Sequence, residues 1–197
     1  ISVIGNCSDV DIDSDDDGVL DATECAISSN LNYVTYGNNS GTTSFPATSV
    51  NNTYISTATN AVAGAGITAT RNATNGFLSI TNMNLLGSTL TTAETANDYM
   101  QYVVTTTADT YNWINAIQVF TSSPGVPASY NYAIAVSIDN FATRTFLNSN
   151  IPYVNGQGVV TTQITPLQLF LNTTYTFRVY FFNASASPIA HDDFTLL

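Results

Sequence analysis

The sequence predicts an all-β protein, a β-sandwich resembling a jelly roll, and three observations lead to this prediction. Runs rich in β-branched and aromatic residues follow one another from Leu31 to the end of the chain. Short turn segments such as Asn75-Gly76, Asp139-Asn140 and Asn155-Gly156 separate these runs. No long amphipathic helical pattern stands out between them. About eight to eleven short strands with tight turns are typical of a sandwich.

The predicted strands alternate between apolar and polar residues, which indicates one buried face. In the run TTYTFRVYFF, Tyr175, Phe177, Val179 and Phe181 share a face. Ile134, Val136 and Ile138 do the same in the run YAIAVSI. The remaining predicted strands are YVTY, GITATR, FLSITNM, DYMQYVVTTT, YNWINAIQVFTS and GVVTTQIT. The stretch 38–60 is rich in Asn, Ser and Thr and is predicted to be a loop or an extra edge strand.

The charge of the chain is concentrated in one short segment. There are 14 acidic residues, three Arg and no Lys, and the net charge is −11. Eight of the acids lie between Asp9 and Glu24. Because a phosphate backbone is bound through clustered Lys and Arg, we expect no nucleic-acid partner. We also expect no membrane insertion, since no apolar run is long enough to span a bilayer.

The acidic segment has the residue spacing of a calcium-binding loop. Its register is D-x-D-x-D-G-x-x-D-x-x-E, in which alternate carboxylates point inward and a glycine allows the sharp turn. We therefore predict Ca²⁺ as a cofactor. The predicted ligands are Asp13, Asp15, Asp17, the carbonyl of Val19, Asp21 and Glu24. Asp9 and Asp11 extend the every-second-residue spacing toward the N-terminus, and they are predicted to share this ion or hold a second one.

The two cysteines of the chain, Cys7 and Cys25, flank the acidic segment. They could be free thiols, but their placement favours a disulfide that closes a loop of about 18 residues. In the chain-entropy model such a closure contributes about 3 kcal/mol. A disulfide implies an oxidising compartment, so we expect an extracellular or cell-surface location.

The stretch CSDVDIDSDDDGVLDATEC, residues 7–25, resembles a thrombospondin type 3 repeat, in which Asp-rich calcium turns accompany a Cys pair. The resemblance implies a calcium-stiffened connector between modules of a secreted protein. Only one complete turn is present, so a long array of repeats is excluded. We accordingly expect two parts: residues 1–28, with an N-terminal strand and a disulfide-clipped calcium loop, and residues 29–197, the β-sandwich.

The end of the chain, TTYTFRVYFFNASASPIAHDDFTLL, is similar to the last two strands of galactose-binding-like jelly rolls. Such domains occur as carbohydrate-binding modules and as adhesion modules of secreted bacterial proteins. The resemblance implies a fold and a secreted setting, and it implies no particular ligand.

Few residues outside the acidic segment are candidates for chemistry. Asp192 and Asp193 could form a second ion or ligand site, although capping residues of a turn are the favoured interpretation. His191 is the only histidine and is predicted to lie in a surface turn. Glu94 and Asp98 could pair, but no catalytic motif surrounds them, so we do not predict an enzyme.

Several aromatic residues lie on three neighbouring predicted strands and could stack on sugar rings. The alternative, which we favour, is that they divide between the core and cross-strand pairs. They are Tyr99, Tyr102, Tyr111, Trp113, Tyr130 and Tyr132.

Two functions are consistent with these features. The first, which we favour from the sequence, is a structural or adhesive subunit of an extracellular filament or surface assembly. In that hypothesis Ile1, Ser2, Val3 and Ile4 form a strand that adds to the sheet edge of a neighbouring copy or module. The alternative is a carbohydrate-binding module of a secreted protein, with glycans as partners.

Overall fold

The computed structural model describes residues 32–37, 44–71, 78–81, 87–107, 112–121, 129–153, 158–191 and 194–197. Residues 32–197 form one compact unit. Several predictions fall outside the described residues and remain predictions. They are the calcium loop with Asp9 and Asp11, the Cys7–Cys25 disulfide, the strand at Ile1–Ile4, the site at Asp192 and Asp193, and the boundary between residues 28 and 29.

The described chain is almost entirely β-strand, which confirms the predicted all-β class. One short helix, α1, spans Leu90–Ala96. The strands are β1 (Val34–Tyr36), β2 (Ser49–Val50), β3 (Ile55–Ala58), β4 (Val62–Ala63), β5 (Thr68–Arg71), β6 (Leu78–Thr81), β7 (Tyr99–Thr106), β8 (Asn112–Thr121), β9 (Tyr130–Ser137), β10 (Thr145–Tyr153), β11 (Gly158–Leu169), β12 (Thr174–Phe182), β13 (Ile189–His191) and β14 (Phe194–Leu196).

Within the described residues the strands form antiparallel sheets, as expected for a β-sandwich. One sheet has five strands in the order β11-β8-β14-β1-β2. A second has six, with β10-β9-β12-β7-β3 in order and β4 also paired to β7. A third, β13-β6-β5, has three. Since β12 lies between β7 and β9, its side chains are at the centre of the six-stranded sheet.

Aromatic side chains fill the space between the two larger sheets. The ring of Tyr102 on β7 stacks on Phe194 of β14, with 4.1 Å between ring centroids. Phe177 on β12 also contacts Phe194, at 6.0 Å. The hydroxyl groups of Tyr132 on β9 and Thr162 on β11 are 3.1 Å apart and join the sheets by a buried hydrogen bond. The core therefore lies on the inner face of β12, as its alternation predicts.

The helix α1 covers the other face of the six-stranded sheet. Its N-cap is Thr89, whose side-chain oxygen accepts a hydrogen bond from the backbone N–H of Thr92 at 3.3 Å. It ends at Asn97, which adopts the left-handed conformation with φ 63°. Ala93 is fully buried against Ala133 and Ala135 of β9. These small residues let the helix lie close to the sheet, so the outer face of β9 and β12 is only partly open to solvent.

Two sequence predictions about this unit are wrong in detail, and one strand was missed. His191 is not in a surface turn: it is fully buried in β13, because pairing with β6 places its ring 4.9 Å from that of Phe181. Ile138 does not continue the buried face of β9, since the strand ends at Ser137 and Ile138 is 63% exposed. β10 was not predicted, because its sequence TFLNSNIPY lacks regular alternation.

The described part of the chain holds no helix that combines the length and the apolar character needed to cross a membrane.

Candidate functional site

An open groove lies on the outer face of the six-stranded sheet, between α1 and the turn that joins β9 to β10. Its volume is about 410 Å³, within the range of small-ligand sites. The floor is formed by β12 and the two walls by the helix and the turn. The lining residues are Thr91, Glu94, Thr95, Phe141, Arg144, Arg178 and Tyr180.

The helical wall presents one face of α1 to the groove. Thr91, Glu94 and Thr95 are spaced three and four residues apart, so they share a side of the helix. The Thr95 hydroxyl donates to the Thr91 carbonyl at 2.9 Å. This wall therefore offers two hydroxyl groups and one carboxylate.

The opposite wall is a turn held by its own polar side chains. The Asp139 carboxylate accepts hydrogen bonds from the backbone N–H of Thr143 at 2.9 Å, from the Thr143 hydroxyl at 2.6 Å and from the Ser137 hydroxyl at 2.7 Å. These bonds, above all that from the Thr143 hydroxyl, lower the pKa of Asp139 to about 2. The Ser137 hydroxyl oxygen in turn accepts from the backbone N–H of Phe141 at 2.9 Å. The turn is thus fixed at both ends.

Phe141 occupies a backbone conformation that large side chains rarely adopt. Asn140 and Phe141 both have positive φ values, 56° and 66°. Asn tolerates this region, whereas for a bulky residue the left-handed conformation costs roughly 1–2 kcal/mol. Strained residues of this kind are concentrated at functional sites. The hydrogen bonds of the turn offset this cost and hold Phe141 at the edge of the groove.

At the floor of the groove the Arg178 guanidinium lies against two aromatic rings. Its central carbon is 3.8 Å from the ring centroid of Phe141 and 4.1 Å from that of Tyr99. Its Nε donates to the side-chain oxygen of Gln101 at 2.9 Å. Cation–π contacts with two rings and one hydrogen bond restrict the orientation of the guanidinium.

An ion pair joins the two walls. The Arg144 guanidinium is 2.5 Å from the Glu94 carboxylate and lies over the ring of Phe146 at 5.3 Å. The Arg144 side chain is 43% exposed, so the pair contributes little to folding stability. Its effect is to position two planar polar groups at the groove.

Tyr180 supplies a neutral hydroxyl to the site. Burial raises the pKa of Tyr180, and the hydrogen bond and charge of Arg178 offset this only in part. The phenol therefore stays protonated at physiological pH and can donate or accept a hydrogen bond.

The structure separates the aromatic residues that the sequence grouped together. Tyr102, Tyr130 and Tyr132 are buried in the core, at 2%, 1% and 0% exposure, as the favoured interpretation expected. Tyr99 is half-buried beside the groove and stacks on Arg178. Tyr111 and the side chain of Trp113 lie outside the described structure.

The two acids considered as a pair have different environments. Glu94 belongs to α1 rather than to the start of a strand, and it pairs with Arg144. Asp98 is buried, and its carboxylate lies so close to Gly66 that a Cβ there would collide with it. Where the structure describes the chain, no three His, Cys, Asp or Glu side chains are grouped as a metal site would require.

Sequence reasoning did not identify Phe141, Arg144 or Arg178 as site residues. One available signal was the rarity of cations: the chain has three Arg and no Lys, and two of the three line this groove. A second was the Asp139-Asn140 turn signal immediately before Phe141. Neither signal shows which residues meet in space.

Comparison with known proteins gives distant structural similarities only. No protein-family model and no curated protein sequence matches the chain. One similar solved structure is the CBM32 of AlyQ in complex with 4,5-unsaturated mannuronic acid. Its sequence is 13% identical, the match covers 70% of this chain and 97% of that chain, and the TM-score is 0.35. A family 35 carbohydrate-binding module from Clostridium thermocellum is 11% identical, the match covers 72% of this chain and 90% of that chain, and the TM-score is 0.35. A pectin-binding carbohydrate-binding module is 12% identical, the match covers 56% of this chain and 73% of that chain, and the TM-score is 0.28. Scores this low do not establish a shared fold, so the sandwich assignment rests on the strand pairing.

Proposed function

We propose that this chain is a non-catalytic glycan-binding module whose sugar lies in the groove between α1 and the β9–β10 turn. One observation carries the proposal. In a chain with only 9% charged residues, two of the three Arg and a Glu converge on one open groove with Phe141 and Tyr180. These residues come from three separate segments of the sequence.

The chemistry of the lining residues suits a sugar ring. A planar guanidinium or carboxylate can make two parallel hydrogen bonds, and neighbouring hydroxyl groups of a sugar offer two partners at matching spacing. Thr91, Thr95 and Tyr180 add hydroxyl groups along the groove. The Phe141 ring provides an apolar surface for the C–H face of a sugar. The site thus combines a few polar groups with an aromatic wall, as small-ligand sites do.

Binding is favoured over hydrolysis by the carboxylates that line the groove. Glycoside hydrolysis in most families uses two carboxyl groups that flank the scissile bond. The lining residues contribute one, Glu94, and Arg144 already holds it. The arrangement can bind a sugar but lacks the second group that the reaction needs.

Binding of the whole chain to immobilised glycans tests this function. We expect retention of the wild type on at least one polysaccharide of a panel, and loss of retention for Arg178→Gln and Phe141→Ala. Gln118→Ala is the matched control, because Gln118 bonds Thr161 on the five-stranded sheet, away from the groove. Equal retention of all four proteins would show that the groove is not the binding site.

Calcium binding at residues 13–24 and an extracellular location are also part of this proposal, the first supported by the spacing of the acidic loop and the second by the two cysteines that flank it. Calorimetric titration of the wild type and of Asp17→Ala with Ca²⁺ measures calcium binding directly. We expect heat of binding for the wild type and little for the variant. Identical titrations would contradict the predicted ligand set.

Assembly into a filament is a second candidate function, and one observation favours it. Among the described residues β11 is an edge strand, and Thr161, Gln163 and Thr165 on it are exposed. Pro166 has no N–H to offer, so only the first half of the strand presents a regular edge. Light scattering with calcium and with excess chelator checks this: particles that dissociate on chelation support assembly, and a monomer under both conditions contradicts it.

A further inference from the structure

We infer that the groove selects glycans that carry carboxylates, such as polymers with uronic acid units, and that Arg178 is the residue that recognises them. This inference rests on the proposed glycan-binding function and names its ligand class.

The first step is the charge of the groove. Two guanidinium groups and one carboxylate line it, and the carboxylate of Glu94 is paired with Arg144. Tyr180 adds no charge, because a phenol with the ordinary pKa of 10.0 is already protonated at neutral pH and burial raises that pKa further. Among the described residues, no carboxylate forms an ion pair with Arg178. The groove therefore keeps one positive charge, whereas the whole chain has a net charge of −11.

Two further acids lie on elements beside the groove, Asp98 just after α1 and Asp139 in the turn. Asp139 is an exposed residue of the turn, and its carboxylate accepts hydrogen bonds from the Ser137 and Thr143 hydroxyl groups. Asp98 is buried against the turn at Gly66. Neither residue lines the groove. An anionic ligand group is the partner that would balance the charge of Arg178.

The second step is the geometry of Arg178. Two aromatic rings lie against its guanidinium, and its Nε donates to the side-chain oxygen of Gln101. A guanidinium has five N–H groups, so N–H groups remain at the edge of the plane. Two such groups side by side match the two oxygens of a carboxylate. The aromatic cover also displaces water, which strengthens the attraction.

The third step is orientation. The plane of Arg178 is held before any ligand arrives, so little side-chain freedom is lost on binding. Phe141, strained at φ 66°, supplies one of the two rings against it. A carboxylated sugar could then place its acid group on Arg178 and its ring on the hydroxyl-bearing wall of α1. A neutral sugar would leave the charge of Arg178 unpaired.

The test compares two forms of one polymer, polygalacturonate and the same polymer with its carboxylates reduced to primary alcohols. Affinity electrophoresis of the whole chain is run with excess chelator, so that no calcium ion bridges the polymer to the acidic segment. We expect the acidic form to bind roughly 10- to 100-fold more tightly, as hydrogen bonds to a charged group allow. Because the protein itself is strongly negative, non-specific attraction to an acidic polymer cannot produce this result.

Two substitutions of the same residue sharpen the test. Arg178→Gln should remove the preference for the acidic form, while Arg178→Lys, which keeps the charge without the planar fork, should retain part of it. Gln118→Ala should behave as the wild type, and circular dichroism checks that each variant is folded.

Each outcome has a distinct meaning. The acidic preference would be overturned if both polymer forms bound equally, or if neutral polysaccharides alone bound. Glycan binding in the groove would still stand if Arg178→Gln weakened that binding. Binding of the acidic form that Arg178→Gln does not weaken would overturn the role of Arg178. Absence of binding to every acidic and neutral polysaccharide would overturn the inference together with the proposed function.

Discussion

The two faces of β12 are covered by different parts of the molecule although they belong to the same nine residues. On the inner face Phe177, Val179 and Phe181 are all 0% exposed and pack between the two larger sheets. On the outer face Tyr180 is buried under α1, whereas Arg178 is half-buried and lines the groove between α1 and the β9–β10 turn. Strand alternation alone sends neighbouring residues to these different places.

The comparison shows how stability and binding can be separated within one strand. Burial of large apolar side chains on the inner face stabilises the fold in proportion to the area removed from water. The outer face is covered by a seven-residue helix and a turn, which leave room for charged groups. Substitutions on the inner face should therefore act on unfolding, and substitutions on the outer face should act on ligand affinity.

The largest effect is expected from Phe177→Ala. Removal of a fully buried ring leaves a cavity beside Phe194, and such substitutions cost about 3–5 kcal/mol. Arg178→Gln, at the next residue, should cost about 1–2 kcal/mol through the lost cation–π contacts. Urea denaturation of both variants measures the difference, and similar midpoints would contradict the distinction between the faces.

A second prediction concerns His191, on the core side of the molecule. Burial lowers the pKa of His191 to about 3, from an ordinary value of 6.5. Between these values the unfolded chain binds a proton that the folded chain does not, so stability falls as the pH falls. The loss should be about 2 kcal/mol between pH 7 and pH 5.

The variant His191→Phe provides the control for this pH dependence. Phenylalanine does not titrate, so the stability of this variant should change little between pH 7 and pH 5. Carboxyl groups contribute little in this range, because their ordinary pKa values lie below it. Urea midpoints at several pH values give both profiles. A steep profile that persists in His191→Phe would assign the dependence to another group.

A matched pair of substitutions at Phe141 tests the outer face. Phe141→Gly and Phe141→Ala both remove the ring and should lose ligand affinity equally. Glycine adopts positive φ without strain, so Phe141→Gly should be more stable than Phe141→Ala by about 1 kcal/mol. Thermal denaturation with binding assays separates the two effects. If Phe141→Ala proved the more stable variant, the strain at this position would be disproved.

The smallest effect on stability is expected from Asp139→Ala, because its carboxylate is exposed. The pKa of Asp139 is lowered to about 2 because its charged form accepts the hydrogen bonds of the turn. These bonds therefore stabilise the folded state above the ordinary pKa of 3.8, and the stabilisation is lost as the pH falls toward 2. At neutral pH the variant should unfold much as the wild type does but bind ligand several-fold more weakly, since Phe141 loses its support. Unchanged affinity would show that the turn does not position the ring.

The sequence by itself determined the all-β class, most strand positions and the inner face of β12. These features depend on local alternation of apolar and polar residues, which can be read along the chain. It also showed that cations are rare, and it predicts a calcium loop whose residues lie outside the described structure. His191 was misassigned because its burial depends on β6, more than a hundred residues earlier, and not on its neighbours.

Only the tertiary structure decided the groove. Glu94 reaches Arg144 because α1 packs on the small residues Ala133 and Ala135, and no local pattern encodes that contact. Phe141 reaches Arg178 because a turn with positive φ values folds back over β12. A strand pattern states which face a residue occupies, but contacts between distant segments determine what covers that face. The site is made of such contacts, and for that reason the sequence did not reveal it.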